Sequence, residues 1–320
     1  MNLLFEVRRL AGRGQGDEAS RLLEDGVGRG DLPALLMLAN WRLFGMYGPR
    51  DPAEAHRLLD RAVAKGSAEA VRLKASLLAN GTGTTTDPAA ALALLRGIAA
   101  SDAMAARQVA LLDAMPPPEK VRAYPASIAS RDPAIWLVRG FASHAECDYL
   151  VEAARPALQP SFVVDPATGR PVPNPIRTSS GMNFDPAIED PVVHAVNRRF
   201  AAATGSDVRC GELLNILRYE PGQEYRPHMD ALPGAANQRV WTALLYLNDD
   251  YQGGETEFDL LGVKLKGQKG DALLFRNVGG DGQGDPRTRH AGTPVTGGIK
   301  WLASRWIRQS PYDPWQETGG

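Results

Sequence analysis

The chain has 320 residues, which is long for a single compact core and enough for two domains. Its 36 Lys and Arg balance 37 Asp and Glu, which argues against a surface made for nucleic acid or acidic lipid. Two cysteines are too few for a disulfide framework or a thiolate zinc site, so Cys147 and Cys210 are predicted to be buried thiols in a reducing compartment.

Targeting segments are not predicted. No apolar run approaches the roughly 18 residues that a membrane helix needs. The apolar stretch at the N-terminus is short, and its charges follow it instead of preceding it as in a signal peptide. We therefore expect a cytoplasmic protein without membrane or nucleic-acid partners.

The first third of the chain is rich in Ala and Leu and repeats every 36 residues. Asp51-Pro52-Ala53 recurs as Asp87-Pro88-Ala89, and other motifs recur at the same offset. A period of this size with helical patterning predicts paired helices that stack into a solenoid. Each Asp-Pro predicts a helix start, with an N-cap oxygen followed by proline at the first helical position. Gly66 and Gly81 are predicted to lie where helices end.

Residues 15–115 resemble Sel1-like repeats, a subclass of tetratricopeptide-type helical repeats. The resemblance is carried by the runs ALLMLANW at 34–41, DPAEA at 51–55 and AVAKGSAEA at 62–70. It implies a concave surface that binds a protein or peptide, and a helical cap that only stabilises the other domain is the alternative. Three prolines at 116–118 end the pattern. We predict a helical domain over 1–115 and a proline-rich linker over 116–129.

From about residue 120, glycine, proline and short β-prone runs replace the helical pattern. Helices are predicted over 143–158, with Ser143 as the cap, and over 190–204. Strands are predicted at 134–138, 213–219, 240–247, 257–259, 263–265, 272–275 and 301–307. Many short strands separated by turns indicate a double-stranded β-helix, or jelly roll, with flanking helices. We assign this domain to 130–310 and a C-terminal tail to 311–320.

A metal site is predicted from three residues. His228 and Asp230 are two apart, so on a strand both side chains would point to one face. His290 lies far enough along the chain to return across a jelly roll. Two histidines and one carboxylate match the facial triad of iron(II) oxygenases, which leaves positions open for a 2-oxo acid and dioxygen. Lys300 is placed to pair with the far carboxylate of such an acid.

Several runs resemble the prolyl 4-hydroxylase family of 2-oxoglutarate dioxygenases. They lie at 146–148, 176–181, 217–230, 242–248, 253–258, 270–275, 290–295, 298–301 and 306–307. The resemblance implies iron(II) ligands at His228, Asp230 and His290. It implies 2-oxoglutarate contacts at Lys300 and Tyr219, and substrate-facing side chains at Arg177, Tyr225 and Trp306. Core packing is the alternative for the aromatic residues.

Two predictions concern residues outside that set. Tyr246 shares a strand face with Thr242 and Leu244, so it is a candidate for the same pocket, with core packing as the alternative. His56, His144 and His194 lie on predicted helices without partners and are predicted to be surface residues.

The implied reaction is hydroxylation of a peptidyl residue, most naturally proline, with conversion of 2-oxoglutarate to succinate and CO2. Ascorbate is the expected reductant, and the repeats would recruit a protein substrate. The alternatives are the same chemistry on a free amino acid or small molecule, an interaction scaffold without turnover, and a zinc hydrolase. Lys300 disfavours the last two, because neither needs a 2-oxoglutarate anchor. The segments 165–175 and 279–289 are predicted to be substrate-facing loops.

Overall fold

The computed structural model describes residues 3–164 and 171–315. The chain divides into two compact units. One contains the described residues up to Met115 together with Pro186–His194, and the other contains the described residues of Pro116–Asp185 and those from Ala195 onward. No helix in the described residues is both long and apolar enough to cross a membrane.

The first unit, called the helical unit below, is a stack of short helices. They are α1 (Leu3–Gly12), α2 (Gly16–Gly28), α3 (Leu32–Phe44), α4 (Pro52–Ala64), α5 (Ala68–Asn80), α6 (Pro88–Ile98) and α7 (Ala103–Ala114). The starts of α2, α4 and α6 are 36 residues apart, and so are those of α3 and α5. This spacing confirms the predicted solenoid of helix pairs.

The repeated Asp-Pro pair starts helices as the sequence predicts. The side chains of Asp51 and Asp87 accept hydrogen bonds from the backbone N–H groups of Glu54 and Ala90, each at 2.9 Å. The proline after each aspartate is the first residue of the helix. Gly81 ends α5 with φ near +79°, a left-handed conformation in which a Cβ would be strained.

Small residues form much of the contact between these helices. One core cluster consists of Ala75, Ala79, Ala91, Leu95 and Ala105. Alanine side chains are small, so the backbones of paired helices can approach each other closely. Because each helix buries its apolar stripe against its neighbours in sequence, the unit is stabilised mainly by local packing.

The second unit, called the catalytic unit below, is built on two sheets. The strands of the larger sheet are β1 (Ala126–Arg131), β2 (Ala134–Val138), β3 (Gln159–Pro160), β6 (Ser180–Phe184), β7 (Leu214–Tyr219), β9 (Arg239–Tyr246), β13 (Ala272–Arg276) and β16 (Lys300–Arg308). Their order in the sheet is β1-β2-β13-β9-β16-β7-β6-β3. The smaller has the order β12-β11-β14-β8. Its strands are β8 (Tyr225–His228), β11 (Thr256–Phe258), β12 (Val263–Leu265) and β14 (His290–Gly292).

Two short antiparallel ladders complete the strands. They pair β4 (Phe162–Val164) with β5 (Pro171–Pro173), and β10 (Gln252–Gly253) with β15 (Val295–Gly297). Side chains of both sheets share one core, in which Leu244 and Phe275 of the larger sheet join Phe258 of the smaller. The predicted jelly roll is confirmed, and its interior between the two sheets is where a site can be built.

Two helices flank the sheets, as predicted: α8 (His144–Ala154) and α9 (Pro191–Thr204). Ser143 caps α8 in a capping box with Glu146. The buried Glu146 carboxylate also accepts two hydrogen bonds of 3.0 Å from the guanidinium of Arg199 on α9. The predicted helix over 143–158 stops early because Pro156, which has no N–H, lies in a short 3-10 turn after Ala154.

The sequence pattern misses the short and edge strands. β1 begins at Ala126, inside the segment 116–129 that was predicted to be a linker, and a 3-10 helix at Pro118–Ala123 precedes it. β8 reads Tyr-Arg-Pro-His and has no apolar alternation. Such strands exist because distant partners pair with them, which a local pattern does not show. Residues 165–170 of the predicted loop 165–175 and 316–320 of the predicted tail lie outside the described residues.

The buried thiols are confirmed, and so is the surface position of one of the three histidines. Cys147 and Cys210 are both buried and free, and burial raises the pKa of the Cys147 thiol to about 12. His144 is exposed, but His56 is half-buried. His194 is buried, with Nδ1 2.9 Å from a carboxylate oxygen of Glu189, so its predicted surface position is wrong. Helical periodicity alone does not reveal which face of α9 is covered.

Candidate active site

The structure brings together the three predicted metal ligands. Atoms of His228, Asp230 and His290 that can bind a metal all lie within 4.8 Å of one another. His228 is the last residue of β8 and pairs in antiparallel register with His290, the first residue of β14. Asp230 lies in the turn after β8, so the expectation that both members of the His-x-Asp triplet share a strand is wrong.

Both imidazoles direct Nε2 toward the carboxylate. His228 Nε2 is 3.5 Å from Oδ1 of Asp230, and His290 Nε2 is 3.6 Å from Oδ2. The Nδ1 atoms lie 2.8 Å and 3.0 Å from the backbone carbonyls of Arg226 and Thr288, respectively. A carbonyl accepts hydrogen bonds and donates none. Each ring, when it is neutral, therefore carries its proton on Nδ1 and leaves the Nε2 lone pair free for a metal.

The charges of the triad suit a cation. Burial lowers the pKa of His290 to about 4, although the charge of Asp230 opposes that shift. Burial by itself raises the pKa of Asp230, but the charges of His290 and His228 and a hydrogen bond from Thr242 outweigh it and lower that pKa below its usual range. At neutral pH the site therefore presents one carboxylate and uncharged imidazole nitrogen. This donor set fits a divalent metal ion.

The three predicted ligands line one pocket of the catalytic unit. The remaining lining residues are Arg177, Leu217, Tyr219, Tyr225, Leu244, Thr256, Gly292, Lys300, Leu302, Ser304 and Trp306. This set includes all of the residues assigned above to 2-oxoglutarate and to the substrate. Most of the accessible surface of the pocket is apolar, although several lining residues carry polar or charged groups that can fix the orientation of a small ligand.

Lys300 provides a buried cation in this pocket. It begins β16 opposite Tyr219 of β7, and only 3% of its surface is exposed. Its ammonium donates a hydrogen bond of 2.7 Å to the carbonyl of Gly254 and lies 5.4 Å from the centre of the Tyr219 ring. Burial lowers its pKa to about 8. A buried cation that is hydrogen-bonded to a neutral carbonyl favours an anionic ligand.

Tyr219 is held beside Lys300 without a direct bond to it. Burial raises the pKa of the phenol to about 12, so the hydroxyl stays protonated, and it is hydrogen-bonded to Ser179. The predicted contact of Tyr219 with 2-oxoglutarate is compatible with its place in the lining and stays a prediction.

Two aromatic side chains and the Arg177 guanidinium also line the pocket. The Tyr225 ring stacks on the His228 ring, with centroids 3.5 Å apart and planes 16° from parallel. The Arg177 guanidinium lies 5.6 Å from the centre of the Tyr225 ring. The Arg239 guanidinium lies 3.9 Å from the centre of the Trp306 ring. Within the described part of the chain, the buried indole N–H of Trp306 has no hydrogen-bond partner.

Sequence reasoning misplaced one residue and missed two. Tyr246 does not line the pocket: it is fully buried, with its hydroxyl 3.3 Å from Oγ1 of Thr256. Thr242 and Asn277, in contrast, are linked by hydrogen bonds to Asp230. The available signal was that Thr242 is a hydroxyl on the same face of β9 as Leu244 and Tyr246, since a buried polar group needs a partner.

Comparison with known proteins identifies relatives of the catalytic unit. The model of the 2OG-Fe(II) oxygenase superfamily matches residues 214–308. Prolyl 4-hydroxylase 1 of Arabidopsis thaliana is 43% identical over 202 residues, which covers 57% of this chain and 71% of that protein.

Two solved structures are also similar. Viral collagen prolyl hydroxylase of Paramecium Bursaria Chlorella virus-1, in its 2OG complex, is 30% identical and covers 55% of this chain and 96% of that chain, with a TM-score of 0.45. A Sel1 repeat protein from Oxalobacter formigenes is 16% identical and covers 35% of this chain and 46% of that chain, with a TM-score of 0.31. Both TM-scores are low, so the assignment rests on the sequence matches and the site. The chain belongs to the prolyl 4-hydroxylase family of 2-oxoglutarate- and iron(II)-dependent oxygenases.

Proposed function

We propose that this protein hydroxylates a proline residue of a peptide, with iron(II) as its metal and 2-oxoglutarate and dioxygen as cosubstrates. One observation carries the proposal: the metal triad and the buried ammonium of Lys300 line the same pocket. A facial triad leaves coordination positions open, and a buried cation in the same pocket suits a dicarboxylate.

Each part of the pocket has a defined task. His228, Asp230 and His290 would hold iron(II), which supplies the chemistry that couples decarboxylation of 2-oxoglutarate to succinate with hydroxylation of the substrate. Lys300 pairs with the far carboxylate and fixes the depth of the cosubstrate. The apolar walls exclude water, which strengthens that ion pair and protects the reaction.

Three of the lining residues support a prolyl substrate. Tyr225 and Trp306 offer aromatic surface against which a proline ring can pack. Trp306 also offers an indole N–H, and Arg177 a guanidinium, for the carbonyl groups of a peptide. The related proteins are named for prolyl and collagen prolyl hydroxylation. A free amino acid lacks the peptide carbonyls that these donors could bind, because its one carbonyl group belongs to a carboxylate.

The direct test uses the full chain with iron(II), 2-oxoglutarate and a panel of proline-containing peptides. We expect succinate formation that rises with peptide and a mass increase of one oxygen atom on proline. His228→Ala should lose metal-dependent turnover, whereas His144→Ala, which alters an exposed histidine of the same unit, should keep it. Turnover with free proline but with no peptide would instead show a small-molecule hydroxylase.

We further propose that the helical repeats recruit the protein substrate. A groove of about 650 Å³ in this unit is lined largely by apolar side chains, among them Leu36, Met37, Trp41 and Met46. Met46→Glu would place a charge in the groove, and Met104→Glu is the matched control, because both methionines are exposed to a similar extent, 43% and 46%.

The test compares two substrates. We expect Met46→Glu to reduce proline hydroxylation of whole proteins in an extract while leaving a short peptide unaffected, and Met104→Glu to change neither. Equal rates for Met46→Glu and the parent on whole proteins would show that the groove does not recruit substrate.

Two smaller predictions remain. Ascorbate is expected to sustain turnover by returning the metal to iron(II), which repeated assays with and without it will test. A cytoplasmic location is expected and is testable by cell fractionation.

A further inference from the structure

The carboxylate of Asp230 is held by a side chain that is not a metal ligand. Thr242 Oγ1 on β9 donates a hydrogen bond of 2.6 Å to Oδ2 of Asp230. Thr242 is fully buried and Asp230 is 3% exposed, so water does not replace this contact. A hydrogen bond to an ionised acceptor in a buried site is among the stronger ones in proteins.

Asn277 orients the threonine. Its amide Nδ2 donates to Thr242 Oγ1 at 2.9 Å, whereas its Oδ1 is farther from that oxygen, at 3.3 Å. A hydroxyl has a single proton, and the shorter contact with Asp230 takes it. The bonds therefore run in one direction, from amide to hydroxyl to carboxylate.

The backbone of Asn277 is itself fixed on both sides. Its N–H donates to the carbonyl of Val240 at 2.8 Å, and its carbonyl accepts from the N–H of Asp285 at 2.9 Å. Asn277 is also fully buried. The chain of hydrogen bonds from Asn277 through Thr242 to Asp230 is thus anchored to β9 and to the segment that follows β13.

Asp230 needs such support more than the two histidines do. The histidines lie on paired strands and each has a backbone carbonyl at Nδ1. Asp230 lies in a turn beyond β8, where its backbone is not part of a sheet ladder. With Oδ2 engaged by Thr242, the carboxylate cannot rotate freely, and Oδ1 keeps its lone pairs for a cation.

We propose that Thr242 and Asn277 are positioning residues that set the orientation of the Asp230 carboxylate for metal binding. The proposal deepens the function proposed above and rests on it, because it takes His228, Asp230 and His290 as the metal ligands. Thr242 acts on Asp230 and Asn277 acts through Thr242, so neither is expected to touch a substrate.

The test measures the dissociation constant of Mn²⁺ on the full chain by titration, without cosubstrate or turnover. Thr242→Val keeps the shape of the side chain and removes the hydroxyl, and we expect it to weaken Mn²⁺ binding about 10- to 100-fold. Thr242→Ser keeps the hydroxyl and should restore most of the affinity. Thr204→Val, which removes a hydroxyl that donates to the Phe200 carbonyl, is the control and should bind as the parent does.

A second variant tests the direction of the bonds. Asn277→Asp replaces the donor with an acceptor that competes for the Thr242 proton, so it should also weaken Mn²⁺ binding. Once Thr242 is Val, the same change should have a much smaller effect. Far-ultraviolet circular dichroism and the melting temperature without metal show which variants are folded, and Asn277→Asp in the parent chain decides the matter if Thr242→Val does not fold.

The outcomes separate this inference from the proposed function. Mn²⁺ binding that is lost in His228→Ala but unchanged in folded Thr242→Val and Asn277→Asp would overturn the positioning role and leave the metal site intact. Failure of the parent to bind Mn²⁺ in a His228-dependent way would overturn both. Equal weakening by Thr242→Ser and Thr242→Val would show that packing, and not the hydroxyl, is responsible.

Discussion

The helical unit and the catalytic unit are stabilised in different ways. In the helical unit, each helix packs mainly against the next one along the chain, and the same Asp-Pro start is used again 36 residues later. In the catalytic unit, β16 pairs with β7 and β9, and the pocket gathers residues from Arg177 to Trp306. The first arrangement spreads stability over similar parts, whereas the second makes one site depend on many distant pairings.

The largest expected effect comes from removing one buried leucine in each unit. Leu59→Ala on α4 and Leu245→Ala on β9 each truncate a fully buried side chain, at a cost of about 2–5 kcal/mol. We expect calorimetry of Leu59→Ala to show a destabilised helical unit while succinate formation on a short peptide is kept. Leu245→Ala should lose both. Loss of activity in Leu59→Ala would show that the pocket depends on the folding of the helical unit.

Next in size is the anchor for 2-oxoglutarate. Lys300→Ala removes the buried ammonium, and we expect the KM for 2-oxoglutarate to rise about 10- to 100-fold, as for a lost charge-assisted hydrogen bond. Steady-state kinetics measure this change. Lys264→Ala removes an exposed lysine that pairs with Glu257 on the smaller sheet and serves as the control. An unchanged KM in Lys300→Ala would remove this lysine from the cosubstrate site.

Near neutral pH, the effect of titrating Lys300 should be smaller than the effect of removing it. Burial lowers the pKa of Lys300 to about 8, so the ammonium is present below that pH and is lost above it. The neutral amine cannot pair with a carboxylate, so the KM for 2-oxoglutarate should rise with pH above about 8 by up to tenfold per pH unit. Lys300→Ala should abolish this rise, and its persistence there would assign the titration to another group.

The smallest effect is expected at the N-cap aspartates that recur in the helical unit. Asp51→Ala removes the N-cap of α4 and should cost the helical unit about 1 kcal/mol. Asp113→Ala, which removes an exposed carboxylate that pairs with Arg96, is the control and should cost less. Chemical denaturation measures both. The corresponding Asp87→Ala should match Asp51→Ala, and a large difference between them would show that the repeats are not equivalent in energy.

The same contrast explains what the sequence predicts well. Helix starts at Pro52 and Pro88 follow from local chemistry, because an aspartate and a proline suffice to begin a helix. The metal ligands follow from motif spacing and family resemblance. The placement of Asp230 in a turn does not, since it depends on where β8 stops pairing with β14.

Long-range contacts account for what was missed. The bond between Thr242 and Asn277 joins residues 35 apart, and no local pattern marks it. β1 was placed in a linker because its pairing with β2 is not visible in its own composition. The sequence signal for Lys300 was stronger, because a lysine between two glycines and an apolar strand is unusual for a solvated side chain.

The pairing of His228 with His290 has a mechanical consequence. These residues belong to neighbouring strands that are separated by a long excursion of the chain through both sheets. A metal ion held by both rings would act as a cross-link that closes this excursion and ties β8 to β14. Because a ligand bound only by the folded state stabilises it, metal binding should slow local opening of the smaller sheet. Amide hydrogen exchange at β8 and β14 would then report occupancy of the site without any turnover.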